Sequence, residues 1–436
     1  MIETIIFFIF ISLCCAFFVA EKDDRSFLLL LVSTAWLLGL PLLSLVNNSF
    51  PFSGDIDDWN YFQLAATPIH SLSDAFNFSR FQSNSVQPGY PWLLSIVNHF
   101  SGHDLYTFKS LNILFLILLS LVWYRIATLL EGNRFGKGMA CAVLLCTPLW
   151  FYIFILRKDL PIVLLHNLFI LGLIEYRIKN SVQSWLILFS STILLVLFRV
   201  PLVLINLLLI SASIIISLIT EKKTISAIIK LLVITGLVTG TIFVLYNPYY
   251  MSKFGIFSES RQLNSSGGMI EMAHSIHNSS TINRTLFPLL YVLTEISGLN
   301  PNTWQNINVQ WLRGITAIPW IILGIPLLCA GLITLIRNIT TNVATQTYNP
   351  NFVIKQNKIN FENQWIVLFL FILTYFFLSW QVGDTTRWRL PDIPPLYAIA
   401  LYGWYFSSKT LRNKCILIWL SSIGSFLTIF YLLREL

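Results

Sequence analysis

Residues 108–130 read FKSLNILFLILLSLVWYRIATLL. A helix needs about 17–25 predominantly apolar residues to cross the ~30 Å hydrocarbon core of a bilayer, and this run has that length. It is one of many. Working outward, comparable runs cover Ile5–Ala20, Phe27–Val46, Gly136–Leu156, Leu160–Tyr176, Ser184–Phe198, Leu202–Thr220, Ile225–Tyr246, Ile315–Ile336, Gln364–Val382, Asp392–Phe406 and Cys415–Leu433. The reading is therefore an all-α polytopic membrane protein with about twelve transmembrane helices in a single membrane domain, residues 1–436. Composition agrees: 56% of the residues are hydrophobic, 11% are charged and the mean hydropathy is +0.71.

The formal charge of +8 is scattered through short loops, which argues for no nucleic-acid partner. All six cysteines (Cys14, Cys15, Cys141, Cys146, Cys329 and Cys415) fall in apolar segments, with no Cys-x-x-Cys and no extramembrane disulfide framework. The N-terminus lacks a positive region ahead of its apolar run, so the first span is expected to stay in the protein.

Orientation follows from the basic short loops. Lys22/Arg25, Arg125/Arg134/Lys137, Arg177/Lys179, Lys222/Lys223, Arg337/Lys355/Lys358 and Lys409/Arg412/Lys414 form one alternate set, which the positive-inside rule places in the cytoplasm. The other face then receives two long loops, 47–107 and 247–314, and the turns at Arg157-Lys158-Asp159, Arg199-Val200-Pro201 and 384–389. In the first long loop, 59–81 and 90–100 mix aromatic, apolar and polar residues in runs too short to span. They are expected to form interfacial helices.

The external side carries the chemistry. Asp55, Asp57 and Asp58 lie within Gly54-Asp55-Ile56-Asp57-Asp58-Trp59-Asn60-Tyr61. Carboxylates are costly near hydrocarbon, and helix capping accounts for one of them more easily than for three. Such a group takes a proton from an incoming hydroxyl or holds a divalent cation. Arg157-Lys158-Asp159 reads either as a hydrophilic turn or as a phosphate-binding cation pair beside a second acid. Arg199 either snorkels to the interface or points into a cavity shared with Asp57. Arg387 and Arg389 flank Trp388 and suit an anionic headgroup or an interface anchor. His274, His277 and Glu271 fit a solvated helix better than a metal site, and His166 fits packing within the bundle. No P-loop, GxGxxG, HExxH or GxSxG motif is present.

The order of these features resembles the multi-spanning C-type (GT-C) glycosyltransferases, near the protein mannosyltransferases and lipid A aminoarabinose transferases. Asp57-Asp58-x-x-Tyr61-x-x-x-Ala65 is similar to that family's Asp-Glu-x-x-Tyr-x-x-x-Ala motif, with Asp58 in place of Glu. Gln87-Pro88-Gly89-Tyr90-Pro91-Trp92-Leu93-Leu94 resembles its Pro-Pro-Leu-Tyr-x-Leu-Leu segment. Asp159, after Pro148, stands where the family carries a second acidic residue. Arg199-Val200-Pro201 resembles its Arg-Pro, and Arg387-Trp388-Arg389-Leu390-Pro391 with Pro395-Leu396 and Leu401-Tyr402-Gly403 resembles its closing motif.

The resemblance implies sugar transfer from a polyprenyl-phosphate-linked donor to a glycan or lipid hydroxyl on the non-cytoplasmic face, in a bacterial inner membrane. Asp57 would be the general base or would orient the acceptor. Asp58 or Asp55 would assist it or bind a magnesium or manganese ion, and Asp159 would be the second acid. Tyr61, Arg157, Lys158, Arg199, Arg387 and Arg389 would bind substrate, the cations holding the lipid phosphate. A polymerase or ligase of polysaccharide repeats using polyprenyl-diphosphate donors is the neighbouring reading. A flippase of such lipids is the contrasting one, although the two halves are unlike and the charges gather at one rim.

The topology has a direct check in a cysteine-free background. A cysteine at Ser265 is expected to react with an impermeant maleimide from outside, and one at Asn342 is not. Labelling of both from the same side would overturn the two-sided arrangement.

Overall fold

A computed structural model describes residues 2–49, 51–52, 56–81, 87–179, 181–199, most of 202–211, 319–348, four positions between 365 and 372, and 390–435. Among these residues the chain is helical, without strands. Among the described residues, five helical segments are long and apolar enough to cross a membrane: Ile2–Val19, Lys22–Ser49, Leu105–Glu131, Asp159–Lys179 and Trp320–Asn338. The expected span Cys415–Leu433 lies within a longer helix, Lys409–Glu435, and the others either are shorter helices or lie largely outside the described residues, as do Ile225–Tyr246 and the loop 247–314.

Helices α1 (Ile2–Val19) and α2 (Arg25–Ser49) pack on each other and on α6 (Leu105–Glu131). Helix α6 packs in turn on α9 (Asp159–Lys179), and α10 (Val182–Phe198) packs on α9. Burial ranks them. In their most apolar windows 83% of α9 and 72% of α6 are buried, against 28% of α1 and 33% of the segment containing α2. Thus α6 and α9 form the central pair. The outer helices turn Phe7, Phe10, Leu37, Leu45, Leu186 and Ile193 outward, as a lipid-facing surface requires.

Local sequence sets the boundaries. Asp104 caps α6 by accepting hydrogen bonds from the Thr107 N–H and hydroxyl. Gly132, at φ +86°, ends α6 in a conformation that favours glycine, and α7 (Asn133–Leu144) begins at the next residue. A side chain at Gly136 would strike Thr128 and the Tyr124 carbonyl, so the α6–α7 hairpin is tight. Ser181 caps α10 in a capping box with Ser184.

The expected span Gly136–Leu156 is corrected here. Helix α7 stops at Leu144, the short α8 covers Thr147–Phe151, and residues 152–158 are irregular. The cause is Pro148. It has no N–H to give the Leu144 carbonyl, and its ring clashes there, so the helix ends four residues earlier. Pro148 is instead accommodated in the first turn of α8. The expected segment Asp392–Phe406 coincides with α12 (Ile393–Phe406), with Asp392 at its N-cap and preceded by a turn at Leu390–Asp392. It packs on α7 and on α11 (Ile325–Tyr348), where side chains at Gly331 and Gly403 would each meet the facing backbone. The chain closes with α13 (Lys409–Glu435).

The first long loop forms α3 (Ile56–Ala65), α4 (Leu72–Phe76) and α5 (Gly89–Ser101). Helix α5 docks rather than lying free. It packs on α1, α3, α6 and α10 and buries Tyr90, Leu94 and Val97.

Among the described residues, the basic loops at Lys22/Arg25, Arg125/Arg134/Lys137 and Arg177/Lys179 meet at one end of the bundle. Asp24 accepts a hydrogen bond from the Tyr124 hydroxyl at 2.7 Å and pairs with Lys137 at 3.0 Å. Arg125 pairs with Glu175 at 3.2 Å, the Asn133 amide donates to Glu21, and Arg134 lies over the Tyr405 ring. Loops grouped by charge alone therefore converge in space.

Candidate functional site

At the opposite end, where α2 finishes and α6 and α9 start, a second polar cluster is built from segments distant in sequence. Its centre is an ion pair. The Arg157 guanidinium donates from Nε to Asp58 Oδ1 at 3.4 Å. Asp58 is 0% exposed and Arg157 is 8% exposed. A lone buried charge is strongly disfavoured, and pairing offsets much of that penalty. Arg157 reaches this position only because the chain breaks at Pro148 and runs irregularly into α9.

The irregular segment is held by Asn112 of α6. Its amide donates to the carbonyls of Tyr152 at 3.1 Å and Ile155 at 2.9 Å, backbone groups that no helix satisfies. Its oxygen accepts from the Tyr90 hydroxyl at 3.2 Å. Tyr90 packs edge-on against Tyr61, with ring centroids 5.2 Å apart. Helix α3 is fastened to α5 by Ser95, whose hydroxyl donates to the Leu64 and Ala65 carbonyls. Burial first, with Tyr61, Asp58 and Asp159 adding to it, keeps the Tyr90 phenol protonated well above its ordinary range. Asp58, Asp159, Tyr61 and Tyr90 thus share one electrostatic environment.

Lys109 adds a second cation. It is 0% exposed, with its ammonium donating to Asn47 Oδ1 at 3.1 Å and the Pro51 carbonyl at 2.7 Å. Asp58 also acts on it electrostatically.

Of the expected site residues, Asp58, Tyr61, Arg157 and Asp159 come together. Asp159 is the first residue of α9 and is buried, and Lys158 beside it is half-buried. Arg199 follows α10 and acts electrostatically on His166, buried two turns into α9. The imidazole hydrogen-bonds with Asn206 and faces the Phe371 ring, in keeping with packing inside the bundle. Asp57 belongs to α3, but its side chain lies outside the described residues, as do Asp55, Arg387, Arg389, His274 and His277. Among the described residues, no group of three His, Cys, Asp or Glu has the arrangement of a metal site.

Sequence reading missed Lys109, Asn112 and Asp392. Lys109 carried a signal, an ammonium one turn into an apolar span, where a charge marks function or pairing. Asn112 sits one turn further on the same helix face. Asp392 is buried in the turn that packs on α9 at the end where α7 breaks, but from sequence it reads as a helix start. No protein-family model matches the chain, and no curated protein matches it significantly.

Replacing Asn112 with Leu keeps the volume and removes three hydrogen bonds. A buried polar group left unsatisfied costs about 1–3 kcal/mol. The Asn112→Leu protein is therefore expected to unfold with at least ~2 kcal/mol less stability. Urea titration of far-UV circular dichroism in mild detergent measures this. Wild-type stability would show that Asn112 does not hold the 152–158 segment.

Proposed function

We propose that this chain transfers a sugar from a polyprenyl-phosphate-linked donor to a hydroxyl of a glycan or lipid acceptor, at the bundle end opposite the basic loops. The observation that carries this reading is the buried Asp58–Arg157 pair, with Asp159, Lys109, Tyr61 and Tyr90 gathered round it. Carboxylates, phenols and cations converge there from α3, α5, α6 and the start of α9. Acid–base chemistry beside an anionic leaving group calls for those groups. No nucleotide motif is needed, because the activated donor brings its own leaving group.

In the proposed reaction, Asp57 takes the proton of the acceptor hydroxyl as its oxygen attacks the anomeric carbon. The bond from that carbon to the phosphate oxygen breaks, and the polyprenyl phosphate departs with the electron pair. Lys158, Arg199, Arg387 and Arg389 stabilise the charge on the departing phosphate. Arg157 is held by Asp58, so it offers a fixed positive charge rather than a mobile one. Asp159 is the second acid. Asp58 or Asp55 would hold a magnesium or manganese ion, which would supply further positive charge there. Membrane lipids surround the site, and the location proposed is the external face of a bacterial inner membrane.

Asp57→Asn preserves size and removes the basic carboxylate. Turnover is expected to fall on the order of 10²–10⁴-fold, with donor binding retained. Asp74→Asn is the control. Asp74 lies in the first turn of α4, accepts from the His70 N–H and pairs with Arg80 within its own loop, so its loss should leave transfer nearly unchanged. The assay is sugar transfer in proteoliposomes. Full rates in Asp57→Asn, Asp58→Asn and Asp159→Asn would exclude this mechanism, and carrier movement without sugar release would indicate a flippase.

A further inference from the structure

The central helices α6 and α9 form the floor of a groove at the basic-loop end, away from the proposed site. Its walls are α1, packed on α6, and α10, packed on α9. The cavity between them measures about 520 Å³, within the ~300–1,000 Å³ typical of ligand sites. Leu118, Leu121, Leu164, Leu168 and Ile187 supply apolar lining. At the far end α5 lies against both α1 and α10. A Cβ at Gly89 of α5 would stand 2.7 Å from the Leu197 carbonyl oxygen, so that closure is tight.

The mouth is charged with both signs. Arg125 and Glu175 form a half-exposed pair, and Glu21 and Lys179 complete the rim. The first turn of α10 begins there too, adding the positive end of a helix dipole. An apolar slot below a rim of two cations and two carboxylates matches one chemistry, an acyl chain beneath a headgroup carrying both a phosphate and a primary ammonium.

We infer that this groove binds a single zwitterionic glycerophospholipid of the phosphatidylethanolamine type, drawn from the leaflet at the Arg125–Glu175 end. The phosphate faces Arg125 and Lys179, and the ammonium faces Glu175 and Glu21. Phosphatidylglycerol lacks the ammonium, and a choline lipid cannot donate hydrogen bonds to the carboxylates. The bound chain fills the gap between α1 and α10 above the α6–α9 floor. This inference does not depend on the proposed sugar transfer.

Native mass spectrometry of the purified full chain tests it, with equimolar phosphatidylethanolamine, phosphatidylglycerol and phosphatidylcholine added in detergent. One phosphatidylethanolamine should be retained at least ~10-fold more than either competitor, a preference of about 1.4 kcal/mol. Leu168→Trp fills the groove and should lose the adduct. If it does not elute as a folded monomer, Ile187→Trp fills the groove from the opposite wall. Equal retention of the three lipids would overturn the inference. So would an adduct that persists in a folded Trp variant, or a lipid-free dimer in which a second copy covers the groove.

Discussion

A buried charge in an apolar bundle must find its partner, and here that requirement governs one whole end of the molecule. Asp58 has no exposure, and its carboxylate is paired with Arg157 from a segment 99 residues away. The pair can form only if α3 is docked against the bundle and the chain before α9 leaves helical geometry. Both conditions are met by specific residues. Ser95 fastens α3 to α5, Pro148 interrupts the helix, and Asn112 satisfies the carbonyls that the interruption exposes. The site is therefore a consequence of how the fold disposes of unsatisfied polar groups.

The other end solves the same problem with different chemistry. There, Asp24 links the α1–α2 turn to α6 and α7 through Tyr124 and Lys137, and Arg125 links α6 to α9 through Glu175. Between the two networks the helix contacts are almost entirely apolar, apart from points such as the Trp36 indole donating to Ser12 and the Trp123 indole donating to Asn167. Apolar contacts between helices in lipid have no hydrophobic driving force, so close packing and the polar ends set how the helices are arranged.

The long spans were legible because hydropathy over a window reports what lipid requires. Residues 108–130 and 160–176 were found within a few positions of α6 and α9 for that reason. The broken helix was not legible by the same measure, since residues 139–156 are apolar apart from Thr147 and only Pro148 betrays the break. The acidic stretch before Tyr61 marks the helix, and Arg157 and Asp159 the turn, that the structure brings together. Their partners were not readable. Lys109 was hidden inside a convincing span, and the role of Asn112 depends on carbonyls whose exposure follows from the break itself.

The account stands on the Asp58–Arg157 pair, and a double-mutant cycle tests it most directly. Stability would be measured in lipid-detergent bicelles for Asp58→Asn, Arg157→Gln and the double variant. Breaking a buried pair by removing one partner costs about 3–5 kcal/mol, because the other charge is stranded. The account predicts that each single variant loses that much and that the double variant loses far less than the sum. Strictly additive losses would mean that the two groups do not depend on each other, and that something else brings α3 to the start of α9.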